Sequence, residues 1–175
     1  MRRAMYLMGV LDDSDIEWLA SHGTGLLASA GQILVREGQP LDSLFVVLDG
    51  QLRVTAGGKL IATLYAGEVV GEISLVDSRP PLATVTALDN ARLLSVSKEL
   101  LKRKLDVDKK FAANFYRALA IFLADRRRTT TARLGYGTPS QGGEADAGDE
   151  LGDDLMETVS LGTRRFDELL RRVSR

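Results

Sequence analysis

Between residues 31 and 96 the chain repeats one pattern: a short apolar run rich in Val, Ile, Leu or Thr, followed by a turn signal. Runs of this length that end at Gly, Pro, Asn or Asp are typical of β-strands. Asp49-Gly50 and Gly57-Gly58 lie between such runs and predict hairpins. Many short strands at this spacing imply an all-β sandwich or barrel. Six strands are predicted, over residues 32–36, 44–48, 51–56, 60–64, 82–87 and 91–97.

Helical periodicity flanks the strand region on both sides. Asp12-Asp13-Ser14 precedes an apolar set and predicts a short N-capped helix. Ser97 is predicted as the N-cap of a second helix, whose basic face covers residues 98–104. A long helix is predicted over about 109–134, with a broad apolar band that favours a partner helix.

Composition excludes several classes of site. The chain of 175 residues has no Cys and one His, which excludes disulfides, thiolate metal sites and a two-His relay. No apolar run is long enough to span a bilayer, and no P-loop, zinc-protease or nucleophile-elbow motif is present. We therefore expect a cytoplasmic protein that is not an enzyme, with no metal and no cofactor.

Charge and composition divide the chain into three parts. Residues 1–136 are predicted to form the folded domain, and residues 137–152 a flexible acidic, Gly-rich linker. Residues 153–175 regain apolar spacing and predict an amphipathic helical tail, which Gly162 is expected to break.

Charge is unevenly distributed along the chain. Residues 144–157 carry seven acidic residues and no basic one, whereas residues 98–133 carry eleven Lys or Arg against four acidic residues. These charges are either solvated faces or a basis for contact between tail and helix.

Gly71-Glu72, followed by small and apolar residues, is the candidate binding motif. A tight turn that leads into a helical turn would expose backbone N–H groups to an anion, and the carboxylate would accept hydrogen bonds from a hydroxyl. This suits a ligand with a phosphate and a sugar hydroxyl. By itself, without further context, the pair fits a β-bulge glycine and a surface glutamate better.

Six motifs, in order and spacing, show that the sequence resembles the cyclic nucleotide-binding domain superfamily, the sensor domain of catabolite-activator-like regulators. The resemblance covers about residues 8–134. It implies a mainly β fold with flanking helices: a β-roll, or jelly roll, followed by a long helix that serves as lid and dimer interface. The motifs are Arg36-Glu37-Gly38, Asp42-Ser43-Leu44-Phe45-Val46-Val47, Asp49-Gly50, Ala66-Gly67-Glu68, Gly71-Glu72-Ile73-Ser74-Leu75 and Ala83-Thr84-Val85-Thr86-Ala87.

The resemblance also implies a binding cassette over residues 70–84, with cAMP or cGMP as the expected ligand. Glu72 corresponds to the family's ribose-binding glutamate, while the backbone near Ile73, Ser74, Ala83 and Thr84 would face the phosphate. Arg126, Thr129 and Thr130, near the end of the long helix, would be lid residues. Arginines at a helix C-terminus also have a purely electrostatic explanation.

One departure from the family lies in the cassette itself. The slot of the phosphate-pairing arginine holds Pro81, and Leu82 replaces the usual small residue. Proline offers the phosphate neither a charge nor an N–H. Arg79 lies two positions earlier and could reach inward instead.

Two functions follow from this pattern. The first is a stand-alone, non-catalytic regulatory protein that senses a cyclic nucleotide or related phosphate ligand and dimerises through the 109–134 helix. The second is a ligand-free scaffold or adaptor that uses the roll and helices for protein contacts. A protein partner could also bind the C-terminal tail. Direct DNA binding is not expected, because the segment after the long helix is short and begins with an acidic stretch that repels phosphates, and no membrane association is expected.

Overall fold

The computed structural model describes residues 8–77, 79–133 and 153–173, with the backbone alone described at residues 122, 125–133, 153–157 and 159. Eight strands and five helices follow one another in these ranges. The strands are β1 (Thr24–Ala28), β2 (Ile33–Val35), β3 (Ser43–Asp49), β4 (Leu52–Ala56), β5 (Lys59–Leu64), β6 (Val69–Val70), β7 (Thr84–Ala87) and β8 (Ala91–Ser97). The helices are α1 (Asp13–His22), α2 (Glu72–Val76), α3 (Lys98–Val107), α4 (Lys109–Arg133) and α5 (Asp153–Val173).

The strands form two antiparallel four-stranded sheets, in the orders β1-β8-β3-β6 and β2-β7-β4-β5. The predicted fold class, a β-roll with flanking helices, is confirmed. All six predicted strands are present, but β1 and β6 were not predicted. The prediction that a strand begins at Leu82 is wrong, since β7 begins at Thr84.

The two predicted hairpins have different outcomes. Gly57-Gly58 joins β4 to β5, which pair antiparallel, and both glycines have positive φ, as a tight hairpin turn requires. The hairpin prediction at Asp49-Gly50 is wrong, because β3 and β4 lie in different sheets. Gly50 serves a crossover instead: an added Cβ would lie 2.7 Å from Cα of Ala91.

Strand β3 separates two hydrophobic cores. Its alternate residues point to opposite faces, as the pleat of a strand dictates. Leu44, Val46 and Leu48 face the helical core, while Phe45 and Val47 face the roll core. The helical core comprises Met8, Leu11, Ile16, Leu19, Leu44, Val46, Leu48, Val69, Leu75, Leu94, Val96, Leu101, Leu105, Phe111, Phe115, Ala118, Leu119, Phe166 and Leu169. The roll core comprises Ala28, Val35, Phe45, Val47, Leu52, Val54, Leu64, Val70, Val85, Ala87, Ala91 and Leu93.

Helix α1 begins where the Asp-Asp-Ser segment predicts. Asp12 is its N-cap, and its carboxylate accepts the backbone N–H of Asp15 at 2.9 Å. The carboxylate of Asp15 accepts the N–H of Asp12 in return, which completes a capping box. Asp15 also accepts a hydrogen bond from Asn114 at 3.0 Å, so the cap connects α1 to α4.

Helix α4 packs one side of its apolar band onto the helical core, where Phe111 and Phe115 are buried. Tyr116 and Ile121 remain exposed. The bounds of the predicted long helix are confirmed to within one residue.

Helix α5 corrects one expectation from the sequence. The predicted break at Gly162 is wrong, because the helix is continuous from Asp153 to Val173 and Gly162 is buried within it. Tertiary packing outweighs the cost of about 1 kcal/mol that a glycine brings to a helix. Phe166 and Leu169 are buried in the helical core, so this helix packs with the domain. The predicted linker, 137–152, lies outside the described residues.

Polar contacts hold α5 against α1. Arg165 pairs with Asp13 at 2.7 Å and donates to the carbonyl of Gly9, while Arg172 pairs with Glu17 at 3.2 Å. Among the described residues, no helix is both long and apolar enough to cross a membrane.

Candidate functional site

The site begins at the turn between β6 and α2. Gly71 has a φ of 93°, and an added Cβ would lie 2.8 Å from the carbonyl oxygen of Ser43 and 2.9 Å from Cδ2 of Leu41. Both the backbone conformation and the close approach require glycine here. The turn makes Glu72 the first residue of α2, where only 2% of its surface is exposed.

A cavity of about 170 Å³ lies between this turn and the roll. Its inner wall consists of apolar strand side chains, among them Val54 and Val85. Its other wall is the predicted cassette, and six of the seven predicted ligand-binding residues line it: Gly71, Glu72, Ile73, Ser74, Arg79 and Ala83. The seventh, Thr84, does not line the cavity; its hydroxyl accepts the backbone N–H of Glu37 at 3.1 Å.

Apolar side chains surround the cavity mouth. Leu82 is 85% exposed, and Ile73 is also exposed. Leu82 lines the cavity but does not fill it. Pro81, in the expected arginine slot, uses its carbonyl oxygen to accept the N–H of Gly38 at 2.8 Å. The slot therefore provides the cavity with no charge.

Arg79 is part of the cavity lining, but its side chain is 80% exposed and does not reach inward. Its Nε donates to Asp77 at 2.9 Å, and its backbone N–H donates to the same carboxylate at 3.0 Å. The backbone N–H of Arg79, and then its guanidinium, hold the pKa of Asp77 below its usual value. This ion pair keeps the guanidinium at the rim.

Lys98 is the functional candidate that the sequence did not reveal. The sequence places it on the basic face of α3, over residues 98–104, and the structure shows that only 7% of its surface is exposed. Its ammonium donates to the hydroxyl of Ser74, and that hydroxyl donates to the carbonyl oxygen of Gly71 at 3.3 Å. Its backbone N–H donates to the carbonyl of Asp42 at 2.9 Å. The one available signal was position: Lys98 immediately follows the buried strand β8.

Both positive and negative side chains act on the charge of Lys98. Burial lowers the pKa of its ammonium, and the like charge of Lys102 lowers it further. The carboxylates of Asp42, Glu72 and Asp77 oppose this and favour the charged form. The buried carboxylate of Glu72 therefore interacts electrostatically with the ammonium of Lys98.

The family model for the cyclic nucleotide-binding domain matches residues 27–108, from the end of β1 to the residue after α3. This range contains both sheets apart from most of β1, and the whole cassette. Residues 27–108 belong to the cyclic nucleotide-binding domain superfamily. The resemblance inferred from the six motifs is thereby confirmed.

Known proteins with such domains share this part of the chain. A cGMP-dependent protein kinase of Caenorhabditis elegans (egl-4) is 32% identical over 99 residues, which are 54% of this chain and 13% of the kinase. The cAMP-dependent protein kinase regulatory subunit of Yarrowia lipolytica is 29% identical over 114 residues, 59% of this chain and 30% of the subunit. The chain thus spans less than a third of the length of these relatives.

A solved cyclic nucleotide-binding domain from Methylobacillus flagellatus has the same fold. Its TM-score is 0.66 at 23% sequence identity, and the match covers 75% of this chain and 78% of that one. At this identity the likeness concerns the fold alone.

Within the cyclic nucleotide-binding domain, the cassette can accept and donate hydrogen bonds. Glu72 is a buried acceptor, suited to a hydroxyl. In the described part of the chain, no cluster of three His, Asp or Glu could hold a metal ion. The proposed lid residues Arg126, Thr129 and Thr130 lie on α4, but their side chains are outside the described residues.

Proposed function

We propose that this chain is a non-catalytic regulatory protein whose cassette cavity senses a cyclic nucleotide, cAMP or cGMP, or a related phosphate ligand. The observation that carries this proposal is the burial of Glu72 at the wall of a preformed cavity, at the first residue of α2. A carboxylate in this position can accept hydrogen bonds from the hydroxyls of a ribose that enters the cavity. The names of the two kinase relatives support this ligand class.

The cassette lacks the positive charge of an arginine at position 81, where this chain has Pro81. A buried charge pair that loses one partner typically costs about 2–5 kcal/mol, so a phosphate would bind roughly 30-fold to several-thousand-fold more weakly than with an arginine at Pro81. Arg79 is the nearest replacement on the cavity wall. Its exposed side chain could leave Asp77 without disrupting any packing.

Calorimetry with cAMP and cGMP, up to millimolar ligand, tests the proposal. Glu72→Gln removes the charged acceptor and is expected to weaken binding about 10-fold to 100-fold, as for hydrogen bonds to charged groups. Glu68→Gln is the matched control: it removes the same charge four residues earlier, at a carboxylate that accepts the N–H of Tyr65 and does not line the cavity. Absence of heat with the unmodified protein, or equal affinity in Glu72→Gln, rejects the sensor.

A ligand-free scaffold or adaptor is the second candidate, and the exposed Leu82 and Ile73, which both line the cavity, favour it. Exposed apolar side chains grouped at one site are typical of protein contacts. The open cavity counts against it, because Leu82 leaves the space empty. A cyclic nucleotide retained through purification, identified by mass spectrometry, would eliminate this candidate.

We also propose that two copies associate through α4. Tyr116 and Ile121 lie exposed on that helix, beside the stripe that packs onto the helical core. In this arrangement, ligand binding at the cassette would be transmitted through α3 to the paired helices.

A further inference from the structure

We propose that Lys98 is a positioning residue that supplies the positive charge for an anionic ligand, acting through the hydroxyl of Ser74. The inference rests on the proposed function and extends it to the charge of the ligand. It is motivated by a mismatch at the cassette: Pro81 offers no charge, and Arg79 pairs with Asp77 at the rim.

Ser74 lies between Lys98 and the ligand cavity. It lines the cassette cavity, and it also lines a second cavity of about 590 Å³, which Lys98 and Lys102 line as well. Lys98 does not line the cassette cavity, but its ammonium donates to the hydroxyl oxygen of Ser74, which does. The charge of Lys98 is therefore one hydrogen bond away from the cavity wall.

The hydroxyl of Ser74 is free to turn. It accepts from an ammonium while its own proton is shared with the carbonyl of Gly71 at 3.3 Å, which is long for an O–H···O hydrogen bond. A ligand oxygen in the cavity would attract that proton more strongly than this carbonyl, because donation to an anion is charge-assisted. The ammonium would hold the hydroxyl oxygen in place and polarise the O–H bond toward the ligand.

Burial makes the charge of Lys98 effective. Lys98 is buried as a residue, so its charge is screened less than that of an exposed lysine. Three carboxylates, Asp42, Glu72 and Asp77, favour its charged form, while Lys102 opposes it. An anionic ligand would add to the favourable side of this balance. The ligand class that the site takes is therefore anionic, a phosphodiester, and an uncharged nucleoside lacks the group that Lys98 acts on.

The experiment compares cGMP with guanosine, its uncharged counterpart, at millimolar concentration by calorimetry. Lys98→Met is expected to weaken cGMP binding about 10-fold or more, the usual loss for a hydrogen bond to a charged group, and to leave guanosine binding unchanged. Lys102→Met is the matched control, since it removes an exposed ammonium from the same helix and the same outer cavity. It is expected to change neither affinity.

The outcomes separate this inference from the proposed function. Equal losses for cGMP and guanosine would assign Lys98 a merely structural role and overturn the inference. Unchanged cGMP binding in Lys98→Met would also overturn it while leaving the sensor intact. Absence of binding by the unmodified protein would overturn the proposed function, and this inference with it. If Lys98→Met does not fold, Ser74→Ala decides: the relay requires a loss specific to cGMP, and equal behaviour of the two ligands overturns it.

Discussion

The helical core and the cassette differ in how completely their apolar surface is covered. On the helical side, Met8, Leu11, Phe111 and Leu169 are fully buried. On the cassette side, Ile73 and Leu82 line a cavity and are exposed. The chain thus contains enough apolar contacts to close one side of the roll but leaves the other open. An open apolar edge costs stability, and it lies where a ligand or a partner would cover it.

The closed side also holds the open side in place. Strand β3 contributes Leu44 and Val46 to the helical core, and the same strand presents the carbonyl of Ser43 against which Gly71 packs. The cassette turn therefore rests on a backbone whose position the helical core determines. A binding site is more precise when rigid elements of the fold support it, and β3 gives the cassette that support.

Phe111→Ala is the largest change that this comparison predicts. Phe111 is 0% exposed and packs against Trp18 and Phe115 at ring centroid distances of 5.4 and 5.8 Å. Removing it should lower the free energy of unfolding by about 3–5 kcal/mol, whereas Leu82→Ala at the open mouth should stay within about 0.5 kcal/mol. Urea unfolding of both variants measures the contrast. Similar losses in the two would mean that Leu82 is covered in solution and that the contrast between the sides is wrong.

Gly71→Ala is the next largest, and it probes the contact between the two sides. A positive φ costs an alanine about 1–2 kcal/mol, and the clash with Ser43 should add about 1–3 kcal/mol and displace α2. Gly31→Ala is the matched control: its φ is +84°, close to that of Gly71, but nothing lies within 4 Å of the added Cβ. Urea unfolding should show the additional loss in Gly71→Ala alone, together with loss of ligand binding. Equal destabilisation would show that strain, and not the contact with β3, determines the cost.

Pattern and turn chemistry made much of this architecture predictable from the sequence. Recurring apolar residues located six of the strands, because a strand that buries one face needs apolar side chains on it. The N-cap residue Asp12 located the start of α1. The strands β1 and β6 were missed. β1 carries the glycine Gly25 and exposed Leu27, and β6 has two residues, so neither shows a strand pattern. β1 pairs with β8, and β6 pairs with β3. This pairing stabilises the extended backbone of two segments whose own sequences show no strand pattern.

The errors share a physical cause: local sequence does not record tertiary partners. Asp49-Gly50 has the same turn chemistry in a hairpin as in a crossover between sheets. Gly162 weakens a helix on its own, yet packing keeps α5 continuous. The cassette was located from its motif, whereas the burial of Lys98 depends on Ser74, 24 positions earlier in the chain. No periodicity could have predicted that contact.

The polar cap that connects α1 to α4 gives the smallest effect and the one that depends on pH. The ammonium of Lys110, then the hydroxyl of Ser14 and the N–H of Asp15, hold the pKa of Asp12 well below its ordinary value of 3.8. Because the folded-state pKa is the lower one, the charge of Asp12 stabilises the fold fully above about pH 5 and progressively less as the pH falls below its ordinary value.

Asp12→Asn isolates this charge, since asparagine is an equally good N-cap but cannot pair with Lys110. At pH 7 the variant should be less stable by about 0.5–1 kcal/mol, the usual range for a largely exposed ion pair. The difference between the two proteins should shrink as the pH falls from 5 toward 2, because the unmodified Asp12 then loses its advantage over the neutral amide. Urea midpoints measured across this range provide the test. A difference that stays constant with pH would mean that the charge of Asp12 contributes nothing to the contact between α1 and α4.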